Sequence, residues 1–446
     1  MSIALIILAA GQGTRMNSDQ PKVLHKLAGA PLLWHAMKTG AQIGADKTVV
    51  VVGHGGEAVE KSAQAFDPEA EIVWQREQNG TGHAVQQAAS ALDGFDGDAI
   101  ILYGDTPFIR SETLETMLAA REDGSAVTVL GFNAEIPGGY GRLITDGSSL
   151  DAIIEAKDAT DDQLSISLCN SGVICAPAPL LFDLLSGLTA NNAGGELYLT
   201  DIVALARARD LPCRAIICDE SETLGVNSRA DLAAAEAAFQ ARSRTEAMEN
   251  GVTMAAPDTV YFSYDTTIGR DVSIEPNVYF GPDVTVENAA EIRAFSHLEG
   301  CHISTKCIVG PYARLRPGAE LAEGAKIGNF VEIKAAQIEA GAKVNHLTYV
   351  GDARVGEGTN IGAGTIFCNY DGVNKHHTDI GKRVFIGSNS ALVAPVTIAD
   401  DAFIATGTVV TENVGTGDMA IARARQVNKT GLGKKLMDRL RAAKKK

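Results

Sequence analysis

The segment Leu8-Ala9-Ala10-Gly11-Gln12-Gly13-Thr14-Arg15-Met16, with Pro21-Lys22 close behind, concentrates the chemistry of the first half of the chain. Glycines let the backbone approach a phosphate chain so that N–H groups can face the oxygens, while Arg15 and Lys22 supply cations for an anion of several charges. A bare GxG fits any tight turn, but GxGTRM followed by Pro-Lys is far more specific. The segment has neither the GxGxxG spacing of a dinucleotide fold nor the Gly-Lys-Ser/Thr ending of a Walker loop. Asp105 follows the apolar run Asp98 to Tyr103, where a carboxylate either points into a ligand crevice or caps the next turn. In the second half, Val344-Asn345-His346-Leu347-Thr348-Tyr349 sets a histidine between two aliphatic positions. An imidazole there is either a hydrogen-bonded structural group or a group that accepts a proton near neutral pH. His376-His377 beside Asp379 suggests a transition-metal site, but adjacent histidines seldom converge on one ion, so they are read as part of a loop.

These residues need elements to position them. Residues 1 to about 226 alternate apolar runs with helical patterns: Ile3 to Leu8, Lys47 to Val52, Glu71 to Trp74, Asp98 to Tyr103 and Ala126 to Leu130 read as strands. The alternation predicts a mostly parallel sheet covered on both faces, with ligands outside the carboxyl ends of the strands. A helix over 82–92 would bury Val85, Ala88, Ala89 and Leu92 on one stripe. Ser228 is an N-cap for a helix from Arg229 to Glu249, about 30 Å long, which Asn250-Gly251 stops.

Beyond it the pattern changes. Ile380, Ile386, Leu392, Ile398, Ile404 and Val410 recur every sixth residue, as do Leu315, Leu321, Ile327 and Ile333, and then Ile338, Val344 and Val350. A step of six rotates about 240° around a helix and marks no buried face, whereas a period-two strand keeps every sixth residue on one side. Each hexad is therefore a short strand plus a corner, the signature of a parallel β-helix. Glycine follows the aliphatic residue at Ile327-Gly328, Val355-Gly356, Ile361-Gly362, Ile380-Gly381 and Ile386-Gly387, where a corner could need positive φ. The hexads begin after Pro257 and run to about Val410, giving roughly seven coils at about 18 residues each. They are irregular between Ile292 and Leu315, which suggests a shortened early solenoid, and Phe367 to Asp379 interrupts them outright. The expected organisation is a domain at 1–226, a linker helix at 227–250 and a hexapeptide domain at 251–446.

Composition excludes several classes. A chain of 446 residues with 45% hydrophobic content can bury two or three sizeable cores. A net charge of -16 disfavours a nucleic-acid surface, so anionic substrates must meet a few local cations or a metal. The basic cluster Lys434, Lys435, Arg439, Arg441 and Lys444 to Lys446 reads as an amphipathic helix with Leu436, Met437 and Leu440 inward. Seven cysteines with no CxxC pair fit reduced thiols in a cytoplasm, and the apolar start is too short to span a membrane.

The GxGTRM segment resembles the nucleotidyltransferases that join a sugar 1-phosphate to a nucleoside triphosphate. Gln75, Gly80-Thr81-Gly82-His83-Ala84, Tyr103-Gly104-Asp105, Gly139-Tyr140-Gly141-Arg142, Glu155, Asn170 and Asn227 extend the match. With the hexapeptide region, nearly the whole chain resembles the bacterial bifunctional family that pairs N-acetylglucosamine-1-phosphate uridylyltransferase with glucosamine-1-phosphate acetyltransferase. The resemblance implies a Rossmann-like α/β nucleotidyltransferase domain, a linker helix and a left-handed parallel β-helix. It implies that Leu8, Ala9, Ala10, Gly11, Lys22, Gln75, Gly80, Thr81, Tyr103, Gly104, Asp105, Gly141, Glu155, Asn170 and Asn227 bind UTP and the nucleotide sugar. It further implies that Asp105 and Asn227 hold Mg²⁺ and that Arg15 and Lys22 act on the phosphates. In the second domain it implies His346 as the base, Arg316, Lys334, Tyr349 and Asn360 on glucosamine 1-phosphate, and Ala363, Asn369, Tyr370, Ser388, Thr406 and Arg423 on acetyl-CoA. A homotrimer with shared sites follows from the same resemblance, while the cytoplasmic location and the absence of nucleic-acid partners are expected from the cysteines and the net charge.

Some positions depart from the family pattern. Thr406 stands where a smaller alanine is expected, and the tail after Arg425 fits poorly. Two other readings remain at this level. One is a nucleotidyltransferase whose solenoid only regulates or oligomerises; His346 with the Asn369-Tyr370 loop argues against it. The other is a translation-factor-like subunit with a decayed nucleotide site, against which intact Arg15, Lys22 and Asp105 argue.

Overall fold

The structure, a computed structural model, describes residues 2–444. Of the terminal basic cluster, Lys445 and Lys446 lie outside the described residues. The chain forms two compact units, Met1–Arg242 and Ser243–Lys446.

The first unit contains β1 (Ile3–Ala9), α1 (Leu32–Gln42), β2 (Lys47–Val52), α2 (Gly56–Phe66), β3 (Glu71–Trp74), α3 (Thr81–Gln86), β4 (Asp98–Tyr103) and α4 (Ser111–Glu122). It continues through β5 (Val127–Asn133), β6 (Arg142–Asp146), β7 (Ser149–Ile154), β8 (Leu168–Pro177), α5 (Ala178–Ser186), α6 (Asp201–Arg207) and β9 (Cys213–Cys218). Among the described residues these strands make a nine-stranded sheet in the order β3-β2-β1-β4-β8-β5-β9-β7-β6. Strand alternation in β1 splits the core. Ala4 and Ile6 join a cluster with Val85, Leu181 and Val203, whereas Leu5 and Ile7 join one with Met37, Val59 and Met117. Both faces are thus covered by helices.

Two expectations need correction here. The sheet is mixed: β3, β2, β1 and β4 are parallel, as are β5 and β9, but β8 runs antiparallel between β4 and β5, and β6–β7 is an antiparallel hairpin. The segment after Thr81 is α-helical only to Gln86, after which Gln87, Ala88 and Ala89 bond to carbonyls three residues back. This tighter winding brings every third residue onto one face. Val85, Ala88 and Ala91 are therefore buried, with Leu92, and Ala89 is exposed.

Helix α7 (Arg229–Glu249) has the bounds its sequence predicts. Ser228 Oγ accepts from Asp231 N at 3.1 Å, and the Asp231 carboxylate accepts from Ser228 N at 2.9 Å, a reciprocal cap. The boundary between the two units falls within α7.

The second unit is a parallel β-helix. Among the described residues, ten short strands from Thr253–Met254 to Met419–Ala420 stack on one face, so the solenoid has more coils than the seven expected. One aliphatic column, Ile274, Ile292, Val309, Ile327, Val344, Ile361, Ile386 and Ile404, runs through that face in unbroken register. The stretch from Ile292 to Leu315 is a full coil, not a truncated one. Its hexads looked irregular because the step from buried Leu298 to buried Ile303 is one residue short.

The corner glycines also have a different cause. None of Gly328, Gly356, Gly362, Gly381 and Gly387 has positive φ. A Cβ on each would instead lie 2.0, 2.2, 2.5, 2.4 and 2.4 Å from an atom of the next coil, so close approach of stacked backbone selects glycine. The left-handed corners lie three residues after the ladder residue, at Phe330, Leu347, Gly364, Arg383, Asn389, Asp401 and Gly407. The C-terminal helix α8 (Leu432–Lys444) forms, but it has no buried residue: Leu436, Met437 and Leu440 are exposed, not inward. Its apolar stripe finds no covering surface among the described residues of the single chain.

Candidate functional site

A cleft of about 350 Å³ opens at the carboxyl ends of the parallel strands of the first unit. Leu8, Ala9, Ala10, Gly11, Lys22, Gln75, Gly80, Thr81, Tyr103 and Asp105 line it. The strands place them directly: Leu8 and Ala9 end β1, Tyr103 ends β4, and Gln75 follows β3 with its N–H on Val52 O at 2.8 Å. Gly104 donates to Leu8 O at 3.0 Å, which locks the turn after β4 against the end of β1. Ala84, from the Gly80 to Ala84 motif, also lines the cleft, as do Val23, Gln78 and Glu196, which were missed from sequence. Gln78 donates from Nε2 to Ala10 O at 3.0 Å, a contact across 68 residues that no local signal carries.

Val226 donates to Asp105 O at 2.9 Å and so sets Asn227 beside Asp105. Lys22 Nζ bonds to Asp105 Oδ2 and donates to Asn227 Oδ1 at 3.0 Å. One carboxylate and one amide oxygen therefore converge on a single cationic point, and two hard oxygen donors suit Mg²⁺. Arg15 is exposed and lies outside the cleft lining.

Gly141, Glu155 and Asn170 form an adjoining group. Asn170 donates from its backbone to Gly141 O at 2.8 Å, and the two Glu155 carboxylate oxygens lie 3.6 Å from where a Gly141 Cβ would be. Burial pushes the Glu155 carboxyl above its ordinary range, an effect that the hydrogen bond from Thr200 Oγ1 at 3.0 Å opposes. The Arg142 guanidinium is buried and donates to the carbonyls of Tyr140, Gly138 and Leu164, which fixes the glycine turn before it. Tyr103 bridges this group and the cleft: its ring fills the space that a Cβ at Gly172 would need.

In the β-helix, register assembles the candidate residues into columns. Asn329, His346, Ala363, Ser388 and Thr406 each lie two residues after a ladder residue, on successive coils. Neighbouring strands are about 4.8 Å apart, so the column is an extended track that begins at the imidazole. His346 is exposed, and its Nδ1 lies 2.8 Å from Asn329 Oδ1. An amide oxygen only accepts, so this contact puts the ring proton on Nδ1 and leaves the Nε2 lone pair free. Arg423 donates to Thr406 O at 3.0 Å and closes the far end.

Beside the column, Arg316 donates to Glu332 Oε1 at 2.8 Å, and Lys334 Nζ lies 4.0 Å from Asp352 Oδ2. Asn369 Nδ2 donates to Tyr349 Oη at 3.3 Å and to Asp352 Oδ2. The space for these groups comes from Gly351, whose Cβ would lie 2.3 Å from Tyr349 Oη. Asn360 pairs with Lys343 and Phe385 in the ladder. Asn329, Glu332 and Asp352 went unread in the sequence; each sits 17 residues from a partner one coil away.

The interruption at 367–379 is a loop inserted between Ile366–Cys368 and Thr378–Ile380, after which Thr378 resumes pairing with Ala353. Asp371 organises it by accepting from Val373 N at 2.8 Å and Asn374 N at 2.6 Å, and it faces His376 Nε2 at 2.7 Å. These contacts hold the Asp371 carboxyl well below the usual carboxylate range, the His376 bond being the largest cause. Asp379 faces Arg354 at 2.6 Å instead of joining the histidines.

Comparison with known proteins agrees with both halves. The family of MobA-like NTP transferase domains matches residues 5–191, and that of the hexapeptide repeat of succinyl-transferase matches residues 378–412. A bifunctional protein GlmU from Ruegeria sp. (strain TM1040) is 62% identical over 444 residues, covering 100% of this chain and 99% of its own length. Those from Jannaschia sp. (strain CCS1) and Cereibacter sphaeroides are 59% and 62% identical, each covering 99% of this chain and 97% of its own. With relatives of that identity along its full length, the chain belongs to the bifunctional GlmU family.

Proposed function

We propose that the β-helix acetylates glucosamine 1-phosphate with acetyl-CoA, and that the first unit then transfers UMP from UTP to N-acetylglucosamine 1-phosphate, giving UDP-N-acetylglucosamine and pyrophosphate. The observation that carries two reactions over one is His346: an exposed imidazole with its Nδ1 on Asn329 and its Nε2 free, at the head of a track one coil-step per residue long. In acetyl transfer the substrate ammonium must lose its proton. One proton passes to water; as the amine nitrogen attacks the thioester carbon, Nε2 takes a second, the C–S bond breaks, and the imidazolium returns that proton to the departing CoA thiolate. Arg316 and Lys334 would hold the sugar phosphate with Tyr349 and Asn360, while Ala363, Asn369, Tyr370, Ser388, Thr406 and Arg423 would follow the length of CoA.

Uridylyl transfer needs no protein nucleophile. A sugar phosphate oxygen attacks the α-phosphorus of UTP and the bond to the β-phosphate breaks. The Leu8 to Gly11 backbone, Gln75, Gly80 and Thr81 would orient uridine, and Gly141, Glu155 and Asn170 the sugar. Arg15 and Lys22 would offset charge on the phosphates. Asp105 and Asn227 would hold Mg²⁺, which supplies further stabilisation of phosphate charge when bound. A cytoplasmic location is supported by free thiols at all seven cysteines, and no helix among the described residues is long and apolar enough to cross a membrane. A homotrimer is supported by exposed aromatic residues along one edge of the solenoid.

The test supplies UTP, Mg²⁺, glucosamine 1-phosphate and acetyl-CoA, and follows free CoA and pyrophosphate separately. His346→Ala is expected to abolish CoA release and to spare pyrophosphate formation from N-acetylglucosamine 1-phosphate; Arg15→Ala is expected to do the reverse. CoA release that survives His346→Ala would remove the proposed base, and wild type that makes pyrophosphate but never CoA would leave a monofunctional nucleotidyltransferase.

A further inference from the structure

Arg15 and Lys22, the two cations proposed to act on the phosphates, ride on one short segment, and α7 holds the chain around that segment at three points. Arg229 donates from Nε to Met16 O at 3.3 Å, and its Nη1 lies 3.2 Å from His25 Nδ1. Two turns further along, Glu236 Oε2 accepts from Ala28 N at 2.8 Å. Residues seven apart share one side of a helix, so a single helical stripe supports the chain from Met16 to Ala28. Met16 directly follows Arg15, and His25 closes the turn that Lys22 opens, donating to Lys22 O at 3.2 Å. The guanidinium therefore ties the residue after Arg15 to the residue that ends the Lys22 turn. Met16 and His25 are 1% and 5% exposed, so both ends of this tie are fixed in the core, whereas Arg229 stands at the surface. Burial and the Arg229 charge both push the His25 pKa down, which keeps its ring neutral and Nδ1 an acceptor.

We propose that Arg229 is a positioning residue for uridylyl transfer: it touches no substrate but sets where the Arg15–Lys22 segment meets the triphosphate. The same helix start fixes the proposed metal ligand, since the Asp231 carboxylate accepts from Asn227 N at 3.0 Å. One turn of α7 thus aligns the cationic segment and the cation site, a function beyond joining two domains. The fork matters because its Nε and Nη1 donors are held rigidly toward a carbonyl and an imidazole together, whereas an ammonium is a point charge on a flexible stem that fixes neither direction. The inference rests on reading the first unit as a uridylyltransferase.

The experiment uses the full chain with Arg229→Ala and Arg229→Lys, and measures kcat and KM for UTP in pyrophosphate formation, KM for N-acetylglucosamine 1-phosphate, CoA release and the melting midpoint. Arg229→Ala is expected to lower kcat/KM for UTP about tenfold, with CoA release unchanged and the sugar-phosphate KM within about twofold. Arg229→Lys should fall between it and wild type. Because the arginine is at the surface, millimolar ethylguanidinium should restore Arg229→Ala, and ethylammonium should not. Wild-type UTP constants in Arg229→Ala overturn the proposal, as does a loss that ethylguanidinium leaves in place. Wild type that forms no pyrophosphate overturns the uridylyltransferase reading instead.

Discussion

Glu155, proposed to orient the sugar, shows what burying a carboxylate costs the fold that carries it. Desolvation raises its pKa above the ordinary value of 4.5, and the Thr200 hydrogen bond only partly opposes this. A folded-state pKa above the unfolded one means that folding favours the protonated acid. That contribution is fully present below pH 4.5 and is lost as pH rises through the folded value. At neutral pH the ionised, half-buried carboxylate therefore works against stability. Glu155→Gln keeps the shape and an oxygen for Thr200, so it is expected to raise the melting midpoint of the first unit at pH 7 and not at pH 4. It should also lower kcat/KM for N-acetylglucosamine 1-phosphate. Calorimetry at the two pH values with a pyrophosphate assay checks both arms; equal gains at both pH values would mean that charge burial is not the cause.

At the scale of elements, the β-helix is a device for turning sequence separation into adjacency. Asn329 and His346 are 17 residues apart and meet because Ile327 pairs with Val344 one coil later. The close coil approach that makes this possible is visible at Gly328, where a Cβ would lie 2.0 Å from Asn345 O. Gly328→Ala must push those coils apart beside the Asn329–His346 contact. It is expected to destabilise the second unit by about 1–3 kcal/mol and to lower CoA release, while pyrophosphate formation is retained. Differential scanning calorimetry with the two assays reads this directly, and unchanged CoA release would show that the imidazole tolerates a looser stack. The hexads were legible in the sequence because every sixth residue of a stacked strand faces the core. Where a step shortens, as between Leu298 and Ile303, the pattern failed although the coil did not. Five strands of the first unit were legible as apolar runs, but β6, β7, β8 and β9 were not placed; β8, an antiparallel partner inserted between β4 and β5, leaves no local mark. The cleft residues that local motifs carry, such as Gly11 and Asp105, could be read; Gln78 and Asp352, defined by distant partners, could not.

At the scale of the whole molecule, one edge of the solenoid does not suit a chain that remains alone in water. Phe295, Tyr312 and Phe330 stack with ring centroids 4.9 and 5.1 Å apart, and Leu347 continues the line; all four are about half exposed or more. All four also hold positive φ, at 59°, 56°, 57° and 50°. Such a conformation costs a bulky residue about 1–3 kcal/mol, while each aromatic stack returns about 0.5–1.5 kcal/mol. A glycine or asparagine would fill these corners with less strain, as Gly364 and Asn389 do further along. The balance favours bulky side chains only if something else covers them, and the same edge borders a groove of about 430 Å³ lined by Tyr312, Phe330, Leu347, Tyr349 and Ile366. Tyr349 is among the residues proposed to hold glucosamine 1-phosphate, so a second copy on this edge would complete that site. Closed rings of identical chains satisfy such an edge on every copy, and the homotrimer proposed above is one such ring. Tyr312→Asp with Phe330→Asp places two charges in the contact and should yield monomers by sedimentation velocity. Those monomers are expected to lose CoA release and to keep pyrophosphate formation, because Tyr312 and Phe330 lie in the second unit and the residues lining the uridylyltransferase cleft in the first. Monomers that still release CoA at the wild-type rate would show that the acetyltransferase site is complete within one subunit.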